Sequence, residues 1–153
     1  IISSSRIRDN IRMGKLSEAA SMLGRPFSIH GIVEKGQGIG REIGFPTANL
    51  NTQHELLPPR GVYAVEVIVS EHVSYKGVAN IGVRPTVAQT GENENIEIHL
   101  FDINQDFLNM HLEVVFRSKL RDERRFESLE HLKHQINADA IKAREILGAS
   151  ERV

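Results

Sequence analysis

Short runs of β-branched and aliphatic residues recur along this chain, and they constrain its fold more than any other feature. They fall at residues 27–34, 61–70, 73–81, 95–101 and 111–118, and turns or polar loops separate most of them. Runs of this length and composition predict strands. Only two residues lie between Ser70 and Val73, so that pair predicts a hairpin. The run at 95–101 alternates: Ile96, Ile98 and Leu100 share one face, and Glu97 and His99 the other. Ahead of the strands, a short helix is predicted from Ser17, as its cap, to Leu23, with Gly24 at its end. Leu16, Ala20 and Leu23 make its apolar face. The chain closes with a second helix, in which Leu129, Leu132, Ile136, Ala143 and Leu147 follow three-and-four spacing. Ser128 is its expected cap and Gly148 lies just past its expected end. Short strands with one amphipathic helix predict a mainly β fold, a small closed antiparallel sheet with the helix packed on it.

A chain of 153 residues suffices for one domain with a core. A net charge of −1 leaves no electrostatic footprint for nucleic acid, and 5% aromatic residues offer few stacking platforms. No nucleic-acid partner is expected. No apolar run approaches the ~18 residues that a membrane-spanning helix needs, so no membrane partner is expected either. The absence of cysteine excludes disulfides and thiolate chemistry, and is compatible with a cytoplasmic protein. His131 and His134 lie three apart on the closing helix and read as a solvated face.

Chemistry concentrates at residues 36–49, Gly-Gln-Gly-Ile-Gly-Arg-Glu-Ile-Gly-Phe-Pro-Thr-Ala-Asn. Gly36, Gly38 and Gly40 let a backbone approach a ligand closely, and their N–H groups can cradle phosphate oxygens. Arg41 adds a permanent charge with a planar fork of donors. Pro46 stiffens the chain before Thr47 and Asn49, whose side chains share a face if the segment is extended. These two neutral oxygen donors can share a Mg²⁺ that also holds nucleotide phosphates. The segment is neither a Walker P-loop nor a Rossmann fingerprint. No Gly-Lys-Ser/Thr ends it, its glycine spacing differs, and it leads into Pro46 in place of a helix.

The same segment resembles the riboflavin kinase family, whose hallmark is a glycine-rich loop running into Gly-Phe-Pro-Thr-Ala-Asn, here Gly44 to Asn49. The likeness continues through Leu57–Ala64, Gly77–Thr86, Ile96–Asp102 and Leu120–Glu123, in order, over most of the chain. It implies a six-stranded, Greek-key-like antiparallel β-barrel with a C-terminal helix and a short N-terminal linker helix. It further implies transfer of the γ-phosphate of ATP to the 5′-hydroxyl of riboflavin, giving FMN and ADP, with Mg²⁺ as cofactor. By position, Glu97 corresponds to the catalytic base, and Thr47 and Asn49 to the metal-holding pair. Gly36, Gly38, Gly40, Arg41, Thr47, Asn49, Leu100, Asp102 and Leu108 correspond to ATP contacts. Arg121, Arg124 and Phe126 correspond to flavin contacts on a mobile flap.

Residues 2–8, Ile-Ser-Ser-Ser-Arg-Ile-Arg, resemble the motif that closes the adenylyltransferase domain of bacterial bifunctional riboflavin kinase/FAD synthetases. On that basis residues 1–24 are expected to be a remnant of that domain plus a linker helix, 25–148 the kinase domain and 149–153 a tail. The missing adenylyltransferase domain would be the partner in a full-length protein, and FAD synthesis is expected to be absent from this chain. Two departures from the family pattern stand out. Lys35 replaces a frequent His before the first loop glycine. Leu108-Asn109 replaces Tyr-Gly, which removes a phenol from the nucleotide side and puts Asn at a left-handed turn. A non-catalytic flavin- or nucleotide-binding module is the alternative, but binding alone does not require Glu97.

Overall fold

The computed structural model describes residues 4–35, 44–52, 56–84 and 93–150. Two short helices, α1 (Ser4–Arg12) and α2 (Leu16–Leu23), precede six strands: β1 (Ser28–Glu34), β2 (Ala48–Asn51), β3 (Gly61–Ser70), β4 (Val73–Arg84), β5 (Asn93–Leu100) and β6 (His111–Arg121). A long helix, α3 (Leu129–Ser150), closes the chain. The strands form a closed barrel in the order β1-β2-β5-β4-β3-β6, and every neighbouring pair is antiparallel. Closure leaves no sheet edge open.

Inward-facing aliphatic side chains of the strands build the interior. Ile29, Val65, Val67, Ile81, Ile98 and Val114 are each at most 1% exposed. Tyr63 is fully buried among them, its ring edge-on to Phe116 at 5.3 Å. Its hydroxyl donates to the Pro59 carbonyl at 2.5 Å, which satisfies the one polar atom that its burial would strand. Burial pushes the Tyr63 phenol above its ordinary pKa, and the Asp122 charge adds to the shift. A second cluster lies outside the barrel, where α3 brings Ala143 and Leu147 onto Val62, Ala64, Val78, Phe101 and Leu120.

Several local expectations change. Residues 48–51 form the strand β2, too short and too polar to be seen as a run. Strands β4 and β6 continue to Arg84 and Arg121, beyond the predicted 81 and 118. The hairpin holds, with Ser70 paired to Val73 across a bulge. Residues 4–12 form a helix that was not predicted. Ser17 does not cap α2, because the helix starts at Leu16, and Lys15 takes the cap position without a side-chain bond. The buried face of α2 holds Leu16 and Ala19, not Ala20, and Leu23 is 37% exposed, because the helix packs against both α1 and the barrel. Gly24 ends α2 in the left-handed conformation, at φ 77°. Ser128 Oγ accepts from the His131 N–H, as a cap should. Gly148 does not terminate α3, which continues through Ser150. Leu129 is 56% exposed, while Asp139 occupies a buried position further along α3.

Candidate active site

The Gly44–Asn49 segment is held by strand β5. Phe45 packs edge-on to the His99 ring at 5.5 Å, and His99 Nδ1–H donates to the Pro46 carbonyl at 2.9 Å. Phe101 packs edge-on to the same ring at 5.8 Å. His99 therefore clips the segment in place just before β2 begins, which fixes where Thr47 and Asn49 point. Thr47 is exposed, whereas Asn49 is 5% exposed.

Strand register then sets Asn49 directly opposite Glu97. Leu50, Ile96 and Ile98 point into the barrel, so Asn49 and Glu97 share its outer face. Glu97 Oε1 accepts from Asn95 Nδ2 at 3.3 Å. A cleft of about 790 Å³ is lined by the end of β1, the start of β2, Ile98 and Leu100 of β5 and the loop after β5; Thr47 lines it, whereas Asn49 and Glu97 do not. Lys35, Thr47, Leu100 and Leu108 are on its walls, with the backbone turn of residues 103–107 closing one side. Asn109 adopts the left-handed conformation at φ 67°, and the Leu108 N–H is held by Asp106 Oδ1 at 2.9 Å. Leu108 itself is 43% exposed at the cleft rim.

Asp102 does not line this cleft. Its carboxylate takes a two-bond grip from Arg144 of α3, at 2.9 and 3.1 Å, and Arg144 also lies over the Phe101 ring at 4.3 Å. The hydrogen bonds from Arg144 hold the Asp102 carboxyl below its ordinary pKa. Gly36, Gly38, Gly40 and Arg41 lie outside the described residues, as do residues 1–3, 85, 86 and 151–153, on which other expectations fell.

The three expected flavin contacts gather at the end of β6. Arg124 and Arg121 both lie over the Phe126 ring, at 4.7 and 5.6 Å. Arg121 is further committed to Asp139, with Nε at 2.9 and 3.1 Å from the two carboxylate oxygens and a terminal nitrogen at 2.9 Å. Gln135 donates to the same carboxylate at 2.9 Å. This buried grip ties the end of β6 to α3, and no feature of the sequence pattern announced it. Lys119 pairs with Asp122 and holds its carboxyl below the ordinary pKa. Glu123 stands over β4, where a Cβ on Gly82 would collide with its carboxylate.

No group of three or more His, Cys, Asp or Glu side chains among the described residues could hold a metal by itself. The Thr47 hydroxyl and Asn49 carbonyl suit an ion that takes its remaining ligands from phosphates and water.

The fold is a closed six-stranded antiparallel barrel that carries both the cleft and the outward Glu97. Residues 23–147 match the family model described as flavokinase, riboflavin kinase, and the chain belongs to that family. It is 46% identical over 150 residues to the bifunctional riboflavin kinase/FMN adenylyltransferase of Escherichia coli, covering 98% of this chain and 47% of that protein. The protein of the same description from Bacillus subtilis is 41% identical over 144 residues, 93% of this chain and 45% of that one. The chain thus spans about half the length of the curated relatives it matches. A solved structure from Streptococcus pneumoniae, described as a macrolide-efflux protein, superposes with a TM-score of 0.82 at 37% identity, over 90% of this chain and 45% of that one. No helix among the described residues is long and apolar enough to cross a membrane. Riboflavin kinase from Trypanosoma brucei shares the fold at a TM-score of 0.55 and 21% identity, over 79% of each chain.

Proposed function

We propose that this chain is an ATP:riboflavin 5′-phosphotransferase, making FMN and ADP. The observation that carries this is the register that sets Asn49 opposite Glu97 on the outer face of the barrel, two residues along the chain from Thr47, which lines the cleft. Glu97 takes the proton of the 5′-hydroxyl as that oxygen bonds to the γ-phosphorus. The bond from that phosphorus to the bridging oxygen breaks, and ADP leaves with the electron pair. A base of this kind contributes about 10²–10⁴-fold in rate. Leu100 and Leu108 supply apolar walls for the nucleotide, and Lys35 supplies charge at the rim. Asp102, gripped by Arg144, shapes the turn that carries the loop wall of the cleft.

Thr47 and Asn49 are the residues that would hold Mg²⁺, which supplies neutralisation of phosphate charge when bound. Arg121, Arg124 and Phe126 are assigned to the flavin, with Phe126 against the ring system and the arginines near the phosphate of the product. Gly36, Gly38, Gly40 and Arg41 are assigned to the ATP phosphates on the sequence pattern. A cytoplasmic setting and an adenylyltransferase partner domain go with the same proposal.

Product analysis tests it. The purified chain is incubated with riboflavin and Mg-ATP, and riboflavin, FMN and FAD are separated by chromatography with fluorescence detection. FMN without FAD is the expected result. Folded, flavin-binding protein that makes no FMN would make it a binding module instead.

A further inference from the structure

A third polar side chain stands in line with Asn49 and Glu97. Asn80 of β4 pairs in register with Glu97 from the side opposite Asn49. Its neighbours Ala79 and Ile81 are both 0% exposed and point inward, so Asn80 points outward beside Glu97. Its Oδ1 is closed to solvent and accepts no hydrogen bond, the one buried side-chain atom among the described residues left in that state. A buried carbonyl without a donor is costly and calls for an explanation. Glu97 cannot supply the donor, because an ionised carboxylate only accepts. The backbone of β4 is already paired to β3 on one side and β5 on the other.

We propose that Asn80 Oδ1 accepts a hydrogen bond from a hydroxyl of the flavin's polyol chain, next to the hydroxyl that Glu97 deprotonates. This rests on the kinase activity proposed above. Directly opposed residues on adjacent strands have Cβ atoms roughly 4.5–5.5 Å apart. Two outward acceptors at that spacing match a chain that offers a hydroxyl donor on successive carbons. An acceptor left unpaired by an analogue without hydroxyls discriminates against that analogue. Asn80 is thus a specificity-determining residue for the polyol chain. Glu123 stands over Gly82, two residues further along the same face.

The test compares riboflavin with lumiflavin, which keeps the ring system and lacks the hydroxylated chain. Both are titrated into the wild-type chain and into Asn80→Ala, with flavin fluorescence as readout. Asn80→Ala is expected to weaken riboflavin about tenfold and to leave lumiflavin unchanged. Equal weakening of both flavins, or of neither, overturns the proposal, since a purely structural Asn80 or one holding only a water would behave that way. If Asn80→Ala does not fold, the Asn80 side-chain amide is followed by NMR in the wild-type chain. A shift with riboflavin that lumiflavin does not produce supports the contact, and identical responses overturn it. A wild-type chain that makes no FMN removes the kinase activity itself, whereas FMN formation with unchanged discrimination in Asn80→Ala removes only the role of Asn80.

Discussion

The outer surface of the barrel has two faces built from the same strands, and they do opposite work. On β3, Val62 and Ala64 are buried beneath α3 with Leu120, Ala143 and Leu147. One strand over, Asn80, the register partner of Val62, begins a polar row that continues through Glu97 to Asn49. The barrel interior is alike behind both. The difference is the chemistry of the outward side chains: apolar ones packed under the helix on one side, and on the other a row of two amides and a carboxylate. Substitutions under the helix should therefore cost stability and spare the chemistry, and those in the row should do the reverse.

The sharpest test of that division is Glu97→Gln. Turnover to FMN is expected to fall about 10²–10⁴-fold with riboflavin binding and melting temperature nearly unchanged. Steady-state kinetics and a thermal melt read both, and near-normal turnover would take Glu97 out of the mechanism. The counterpart under the helix is Leu147→Ala. Leu147 is fully buried, so its truncation should cost about 2–4 kcal/mol of stability, measured by urea unfolding. The kcat of the folded fraction should hold, and a large fall would mean that α3 shapes the chemistry directly.

Asn49→Ala should lose about tenfold in turnover at low Mg²⁺ and regain much of it at high Mg²⁺, because Thr47 and the phosphates remain as ligands. Indifference to added metal would refute the assigned role. The smallest effect concerns Asp102. Its folded pKa is lowered by Arg144, so the grip contributes above the ordinary carboxylate pKa and is lost as pH falls through the lowered value. Arg144→Ala should return the Asp102 pKa toward its ordinary range, read by NMR titration. Because the pair is solvent-exposed, stability at neutral pH should barely change.

Fold class and most strands were legible because alternation and β-branched runs survive in a linear sequence. Ile96, Ile98 and Leu100 point inward as their spacing predicts. The strand at 48–51 was not legible, since four residues with asparagine at two of them carry too little periodicity. Its strand character comes from pairing with β1 and β5. Thr47 and Glu97 could be named from their motifs, yet spacing along the chain says nothing of who stands opposite whom. Nor could it foresee that Arg121 would be gripped by Asp139, 18 residues away.

The sequence by itself determined a small mainly β domain, a closing amphipathic helix and a phosphate-suited segment ending in Thr47 and Asn49, because these rest on local pattern. Only the tertiary structure decided the strand order β1-β2-β5-β4-β3-β6 and, through it, the row Asn49, Glu97, Asn80. Three residues from three separate strands become neighbours solely through closure and register, which hydrogen bonding between distant segments sets and no local propensity encodes.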